Sequence, residues 1–496
     1  MTSPLTQDVS DLRPAAAEQP VAACAPVVKS AGRYRWKICA LLFFATTLNY
    51  MDRQVLALLK PVLQNPVRGI GLTEVQFAAI VSIFSAAYAL GLLLAGTFVD
   101  KVGTRVGYAV AVMVWTLASM SHSLVAVPAV GSALHSAAVA LASILRHVPG
   151  LGSVHWVGSM ADLSGAVIGF GIVRFALGLG EAGNFPSAIK AVAEWFPTKE
   201  RALATGIFNS GTNIGATLAP FAVGFLLYKV GWQYAFLGTS AFALIWLVLW
   251  LAIYRSPARS SGVSPAELAY INSDPAQPAA KIPWSSLLSH RQTWAFLGGK
   301  VMTDPIWWFY LYWLPGFLSA RFGLTITKMG LPLLVIYNFC TFGSIFGGWL
   351  PARFIASGWS VNRARKTAML LYALAITPIM LVGRVHTLWQ AVALISLATA
   401  AHQAWSANLF TLVSDMFPRR AVASVVGIGA CGGSVAMMFF GLFIGFVLPI
   451  THGNYVPVFL LAGSAYLIAI GIIQLLAPSL SVVAIDSPRS TLVSRI

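Results

Sequence analysis

Glu194-Trp195-Phe196-Pro197, with Gly206 and Gly211 after it, returns as Asp415-Met416-Phe417-Pro418, with Gly427 and Gly432 after it, every position displaced by 221 residues. An acid, two hydrophobic residues, a proline and two glycines held at one offset mark two copies of one unit. A second echo joins Gly96, four residues before Asp100, with Gly348, five before Arg353, at an offset of 252. The chain therefore reads as a duplication. Allowing for the longer loop before Lys366, the two offsets leave roughly 30 to 40 additional residues in the first copy, at about 127–163.

What surrounds these motifs is apolar. Of 496 residues 58% are hydrophobic and only 9% charged, and the mean hydropathy is +0.77. That balance excludes an ordinary soluble domain, and with it a soluble enzyme. Apolar runs recur, each able to cross roughly 30 Å of hydrocarbon as a helix of about 20 residues. The predicted spans are 36–58, 74–98, 106–126, 164–188, 202–227, 233–254, 293–318, 329–351, 367–384, 388–414, 421–448 and 456–477. A polar stretch at 255–291, punctuated by Pro257, Pro265, Pro275 and Pro283, separates six spans from six. The expected fold is an all-α integral membrane protein of twelve transmembrane helices, two six-helix bundles (33–254 and 292–478) around a central cavity.

A formal charge of +17 suggests nucleic acid in a soluble protein, but in a membrane protein the distribution of Lys and Arg carries the information. One set of loops holds Arg33, Arg35, Lys37, Lys101, Arg105, Lys190, Lys199, Arg201, Arg255, Arg259, Lys281, Arg291, Arg353, Arg363, Arg365, Lys366, Arg419 and Arg420. The opposite loops keep Lys60, Arg68, Arg146, Lys229, Arg321, Lys328 and Arg384. The asymmetry places both termini in the cytoplasm and argues against a nucleic-acid partner. It also excludes a thirteenth crossing at 127–163, which would carry Lys190, Lys199 and Arg201 outside. The insertion, with Val130, Leu134, Leu141 and Leu145 on one face, is expected as an outer, periplasmic helix. His135, His147 and His155 within it have spacings of 12 and 8 that match no ligand motif, so no metal or cofactor is expected. Cys24, Cys39, Cys340 and Cys431 lie far apart and read as reduced packing residues. Residues 1–32 lack the basic start and apolar centre of a signal peptide and are expected to be a disordered cytoplasmic tail, with a second tail at 479–496.

Ionisable groups inside spans are the most informative positions, because charge at membrane depth costs several kcal/mol unless it pairs or faces water. Asp52 and Arg53 lie in the first span, Arg174 and Glu181 seven apart on one face of the fourth. Thr46, Asn49, Tyr50 and Arg53 follow i, i+3, i+4, i+7 spacing, so that face should line the cavity. Arg53 and Arg174 are candidates to hold a substrate carboxylate, since guanidinium is a planar fork of donors that stays charged. Asp52 and Glu181 can change protonation state and are the coupling candidates. A monovalent anion entering a negative interior works against about 2.3 kcal/mol per 100 mV, which one co-transported proton cancels and a second reverses. Lys300, near the start of the seventh span, is read as snorkelling to the cytoplasmic surface.

The seventh span continues Asp304-Pro305-Ile306-Trp307-Trp308-Phe309-Tyr310-Leu311-Tyr312-Trp313-Leu314-Pro315. Its rings suit either an interfacial belt or a helix broken by Pro305 and Pro315 whose Trp308 and Tyr312 face a sugar-like ligand. The tenth span adds His402, Gln403, Trp405, Ser406 and Asn408, able to bond hydroxyls, with interhelical packing the other reading of Ser406 and Asn408. Thr212 and Asn213 in the fifth span extend the polar lining. The 221-residue register pairs Glu181 with His402, so charge gathers in the first half and rings and amides in the second. Such a cavity suits a small anion with a polyol body.

The loop Gly96-Thr97-Phe98-Val99-Asp100-Lys101-Val102-Gly103-Thr104-Arg105 resembles the signature loop of the major facilitator superfamily, a gating element in which Gly96 permits close helix approach, Asp100 meets a helix N-terminus and Arg105 a carboxylate. The chain resembles the anion:cation symporter family of that superfamily, and most of all its hexuronate transporters. The likeness rests on Leu48-Asn49-Tyr50-Met51-Asp52-Arg53-Gln54, on Arg174-Phe175 with Leu177-Gly178-Leu179-Gly180-Glu181-Ala182-Gly183-Asn184-Phe185-Pro186, on Ile207-Phe208-Asn209-Ser210-Gly211-Thr212-Asn213-Ile214-Gly215, on the Asp304 to Tyr310 run and on Ala401-His402-Gln403-Ala404-Trp405-Ser406-Ala407-Asn408-Leu409. The resemblance implies proton-coupled uptake of glucuronate or galacturonate across a bacterial inner membrane by a monomer. It implies coupling at Asp52 and Glu181, with Arg53 and Arg174 beside them, and substrate contact at Tyr50, Tyr88 and the Thr212 region. An aldonate, aldarate or other organic anion is the alternative cargo. A non-transporting membrane sensor is the alternative of another class.

Overall fold

The computed structural model describes residues 32–125, 127–147, 162–273 and 284–483. The tail at 1–31, residues 484–496 of the second tail, Cys24 and His155 lie outside the described residues. Among the described residues there is helix and no strand. The spans are, in order, Tyr34–Gln64, Glu74–Val102, Thr104–Val125, Gly165–Glu181 continued by Asn184–Trp195, Thr198–Val230 and Trp232–Ile253 in the first half. In the second half they are Arg291–Tyr312 continued by Leu314–Phe322, Ile326–Ala356, Val361–Ile376 with the 3₁₀ turn Thr377–Arg384, Leu388–Met416, Arg419–Ile450 and Val456–Leu476. Nine of them are long and apolar enough to cross a membrane by length and composition, among the described residues. The first, seventh and tenth are the exceptions, and they carry Asp52 and Arg53, Lys300 and Asp304, and His402 and Gln403. Helices that must line a polar cavity give up hydropathy to do so.

The duplicated motif works as a reversing corner. Trp195 ends the fourth span, Phe196 is extended (φ −125°, ψ 133°), and Pro197 (φ −63°, ψ 153°) opens the fifth. Phe417 (φ −122°, ψ 144°) and Pro418 (φ −62°, ψ 147°) repeat the geometry between the tenth and eleventh. Proline suits the opening because its fixed φ is ready for it and its missing N–H is not needed at a helix start. The acids of the motif tie each corner to its own half. Glu194 accepts hydrogen bonds from the hydroxyls of Thr104 (2.5 Å) and Tyr254 (2.6 Å), and Asp415 pairs with Arg365 (3.0 Å).

Among the described residues three α-helices lie outside the spans: Pro128–Arg146, Pro265–Ile271 and Trp284–Leu288. Pro128–Arg146, in the insertion, rests on the fourth span, where a Cβ at Gly165 would overlap the Gly131 backbone and Gly169 accommodates Leu134. Val139, Leu141 and Ile144 on this helix are exposed. His135 and His147 bond to the carbonyls of Leu163 and Ser143. In the connection between the halves, the short helix Pro265–Ile271 places Glu267 at the start of the first span. There its buried carboxylate accepts the backbone N–H groups of Tyr34 (3.2 Å) and Arg35 (3.1 Å) and pairs with the Arg35 guanidinium. This side chain supplies the acceptors that a helix start lacks.

The halves meet on the side away from that connection. Lys60, counted above with the outer-loop cations, is instead buried there, paired with Glu74 (2.8 Å) and packed on Gly316 of the second half. Phe77 meets Trp313 edge to face (5.5 Å), Ser82 donates to the Met438 carbonyl (2.8 Å), and Gln54 donates to the Tyr337 hydroxyl (3.3 Å). The glycines Gly441 and Gly445 let the eleventh span press on Ser82 and Ala78 of the second. On the connection side the loop from Gly96 to Arg105 makes contacts within its own half. Asp100 pairs with Lys190 (3.0 Å), and Lys101 is exposed. Gly103 takes the φ of +86° that a side chain would resist. The Arg105 guanidinium donates to the Leu251 carbonyl rather than to the expected carboxylate. A Cβ at Gly96 would meet nothing within 4 Å, so the close helix approach expected of it is not made here.

Candidate functional site

A cavity of about 450 Å³ lies between the halves, lined from the first half by Tyr50, Tyr88, Phe185, Phe208, Asn209 and Thr212 and from the second by Lys300, Asp304, Trp307, Trp308, His402, Gln403, Ser406 and Ser434. Its lining runs along the connection-side halves of the fourth, fifth and eleventh spans, below the sealed far side. The volume suits a single small ligand. Of the residues expected from sequence, Tyr50, Tyr88, Thr212, Trp308, His402, Gln403 and Ser406 reach it.

Arg53 and Glu181 form one ion pair, with both Nε (2.8 Å) and Nη2 (2.5 Å) on Glu181 Oε2. Both side chains are buried, at 2% and 0% exposure, so the pair sits at low dielectric with its charge cancelled. Four rings surround the guanidinium carbon: Trp308 at 4.6 Å, Tyr50 at 4.8 Å, Tyr88 at 5.0 Å and Phe84 at 5.4 Å. Such contacts are worth roughly 0.5 to 2 kcal/mol each. Three of these rings also line the cavity, so Arg53 lies one ring layer behind its wall, and Trp308 brings the second half against it.

The two sequence-adjacent charges thus part company. Successive helical residues point about 100° apart. Arg53 turns to the fourth span, and Asp52 turns to the sixth, accepting from the Ser240 hydroxyl (3.3 Å). Arg174 is fully buried, 5.9 Å from the Phe84 ring, and its guanidinium nitrogens make no hydrogen bond among the described residues. Neither Arg53 nor Arg174 lines the cavity, so a ligand there does not meet them directly.

In the second half, the His402 ring lies flat on Trp307 (5.1 Å, 3° between planes) with Nδ1 on the Tyr466 hydroxyl (2.5 Å). Trp308 stacks on Tyr312 (5.8 Å), but Tyr312 is buried behind it against Phe84. Trp405 is buried edge-on to Tyr466, and Asn408 donates to the carbonyls of Gly347 (2.6 Å) and Ala404 (2.9 Å), joining the tenth span to the eighth. Trp405, Asn408 and Asn213 do not line the cavity.

The reading of Lys300 as snorkelling is overturned. It is 6% exposed, lies 2.7 Å from Asp304 and lines the cavity with it. The signal for the pair was in the sequence: opposite charges at i, i+4 inside an apolar span face the same way. Asn209 and Ser434 are further polar lining to which the sequence reading gave no role.

Comparison with known proteins gives a consistent assignment. The family model described as Major Facilitator Superfamily matches residues 42–440. A hexuronate transporter of Escherichia coli (strain K12) is 30% identical over 417 residues, 83% of this chain and 87% of that one. A probable galactarate/D-glucarate transporter of the same strain is 28% identical over 461 residues, covering 89% and 95%. Among solved structures, a D-xylose-proton symporter superposes with a TM-score of 0.66 at 16% identity, covering 90% and 99%, a likeness of fold.

Proposed function

The chain belongs to the Major Facilitator Superfamily, whose members are transporters rather than enzymes, and from that premise we propose that it imports a hexuronate, glucuronate or galacturonate, together with protons by alternating access. The observation that carries this reading is the Arg53–Glu181 pair held behind the cavity wall by rings from both halves. A proton on Glu181 weakens its hold on Arg53, and that change reaches Trp308 of the second half directly. Charge state and the relative position of the halves are thereby linked. Asp52, on the next residue, is the second coupling carboxylate. Tyr50, Tyr88, Thr212, Trp308, His402 and Gln403 present rings, hydroxyls and an amide group to a polyol. The Lys and Arg bias puts the connection side, both termini and the open mouth of the cavity in the cytoplasm of a bacterium, with 127–163 in the periplasm.

The 30% identity to the hexuronate transporter supports this cargo over an aldarate or aldonate. The test is counterflow of labelled glucuronate in proteoliposomes, challenged by unlabelled galacturonate, galactonate, galactarate and glucose. Competition by galacturonate above all others is expected. Absence of hexuronate counterflow by folded protein, or stronger competition by galactarate, would overturn the assignment.

A further inference from the structure

Arg53 is neutralised behind the ring wall and Arg174 is away from the cavity, yet a sugar acid needs a cation for its carboxylate. Lys300 is an ammonium that reaches the cavity surface. It pairs with Asp304 at 2.7 Å, one helical turn along the same span, and its Nζ lies 4.6 Å from the Phe410 ring centre. The fold makes room for this pair. On the eleventh span, a Cβ at Gly433 would overlap the Asp304 carboxylate, while one at Gly429 would overlap the Phe296 ring and come within 3.1 Å of Lys300 Cγ. The 252-residue register that relates Gly96 to Gly348 also relates Asp52 to Asp304, so the two carboxylates hold corresponding positions in the two copies. A charge pair inside a span, open to a cavity and with Gly433 leaving room for its carboxylate, is costly as scaffolding.

We propose that Lys300 is the anchor for the substrate carboxylate and that Asp304 is a built-in stand-in for it, occupying the ammonium when the cavity is empty. An ammonium carries three donors, of which Asp304 engages one, and the flexible lysine stem can turn the others to a ligand without backbone movement. The exchange of one carboxylate for another keeps the site close to neutral throughout. The inference rests on the cargo being a sugar acid.

The experiment compares glucuronate with its uncharged methyl ester as competitors of counterflow, in the wild type and in Lys300→Gln, Lys300→Arg and Asp304→Asn. Lys300→Gln should lose roughly 30-fold or more in apparent glucuronate affinity while ester binding changes little, which also shows that the variant is folded. Lys300→Arg should keep most of the affinity. Asp304→Asn, without the competing carboxylate, should bind glucuronate more tightly than the wild type. Wild-type glucuronate affinity in Lys300→Gln, or an equal loss for acid and ester, would overturn the inference and leave the cargo assignment standing. A wild type that binds no sugar acid would instead remove the reading on which it rests.

Discussion

Glu181→Gln should abolish accumulation of hexuronate against a gradient and leave exchange across the membrane running. The amide keeps the shape of the carboxylate and its oxygen still accepts from Arg53, so the cavity and its ring wall persist. What is lost is the group that can gain and lose a proton beside the guanidinium. A gradient of one pH unit is worth about 1.4 kcal/mol per proton, roughly tenfold in accumulation for a single coupled proton. The variant should therefore equilibrate its substrate where the wild type concentrates it. Uptake of labelled glucuronate into proteoliposomes with an acidic exterior measures the ratio, and counterflow in the same vesicles measures exchange. Asp52→Asn should behave alike. Normal accumulation in both variants would refute the coupling assignment.

Arg53→Leu should cost about 3 to 5 kcal/mol of stability, because it leaves the Glu181 carboxylate buried without its cation. The double variant Arg53→Leu with Glu181→Leu removes both charges and should recover most of that loss, since two hydrophobic side chains suit a site enclosed by Phe84, Tyr88 and Trp308. Neither protein should show proton-driven uptake. Thermal unfolding of the purified proteins in detergent separates the cases. A single variant as stable as the wild type would mean that the pair is not buried as described. A double variant as unstable as the single one would place the loss in ring packing around the guanidinium rather than in the lone carboxylate.

The fold was legible because its determinants are periodic. Apolar runs long enough to span, a proline corner repeated at 221 residues and a polar connection between halves need no knowledge of distant contacts. The site was legible in part. Helical spacing placed Tyr50 on a cavity face, but it could not show that Arg53, on the same face, reaches across 128 positions to Glu181 instead of pairing with its neighbour Asp52. Nor could it show that Trp405 and Asn408 turn to neighbouring helices while His402 and Gln403, on the same span, turn inwards, because the tenth helix offers polar groups on more than one side. Lys300 was misread because its depth was judged from the predicted helix start, whereas Asp304 one turn on holds it inside. Lys60 misled the loop count for a similar reason, since Glu74 lies beyond the chain reversal that follows it.

Proton movement that accompanies substrate is the most direct test of proton-coupled import. Proteoliposomes loaded with a pH-sensitive dye and given glucuronate outside, with no imposed gradient, should acidify inside in proportion to uptake, and Glu181→Gln vesicles should not. Uptake of glucuronate by the wild type with no change in internal pH would contradict the account.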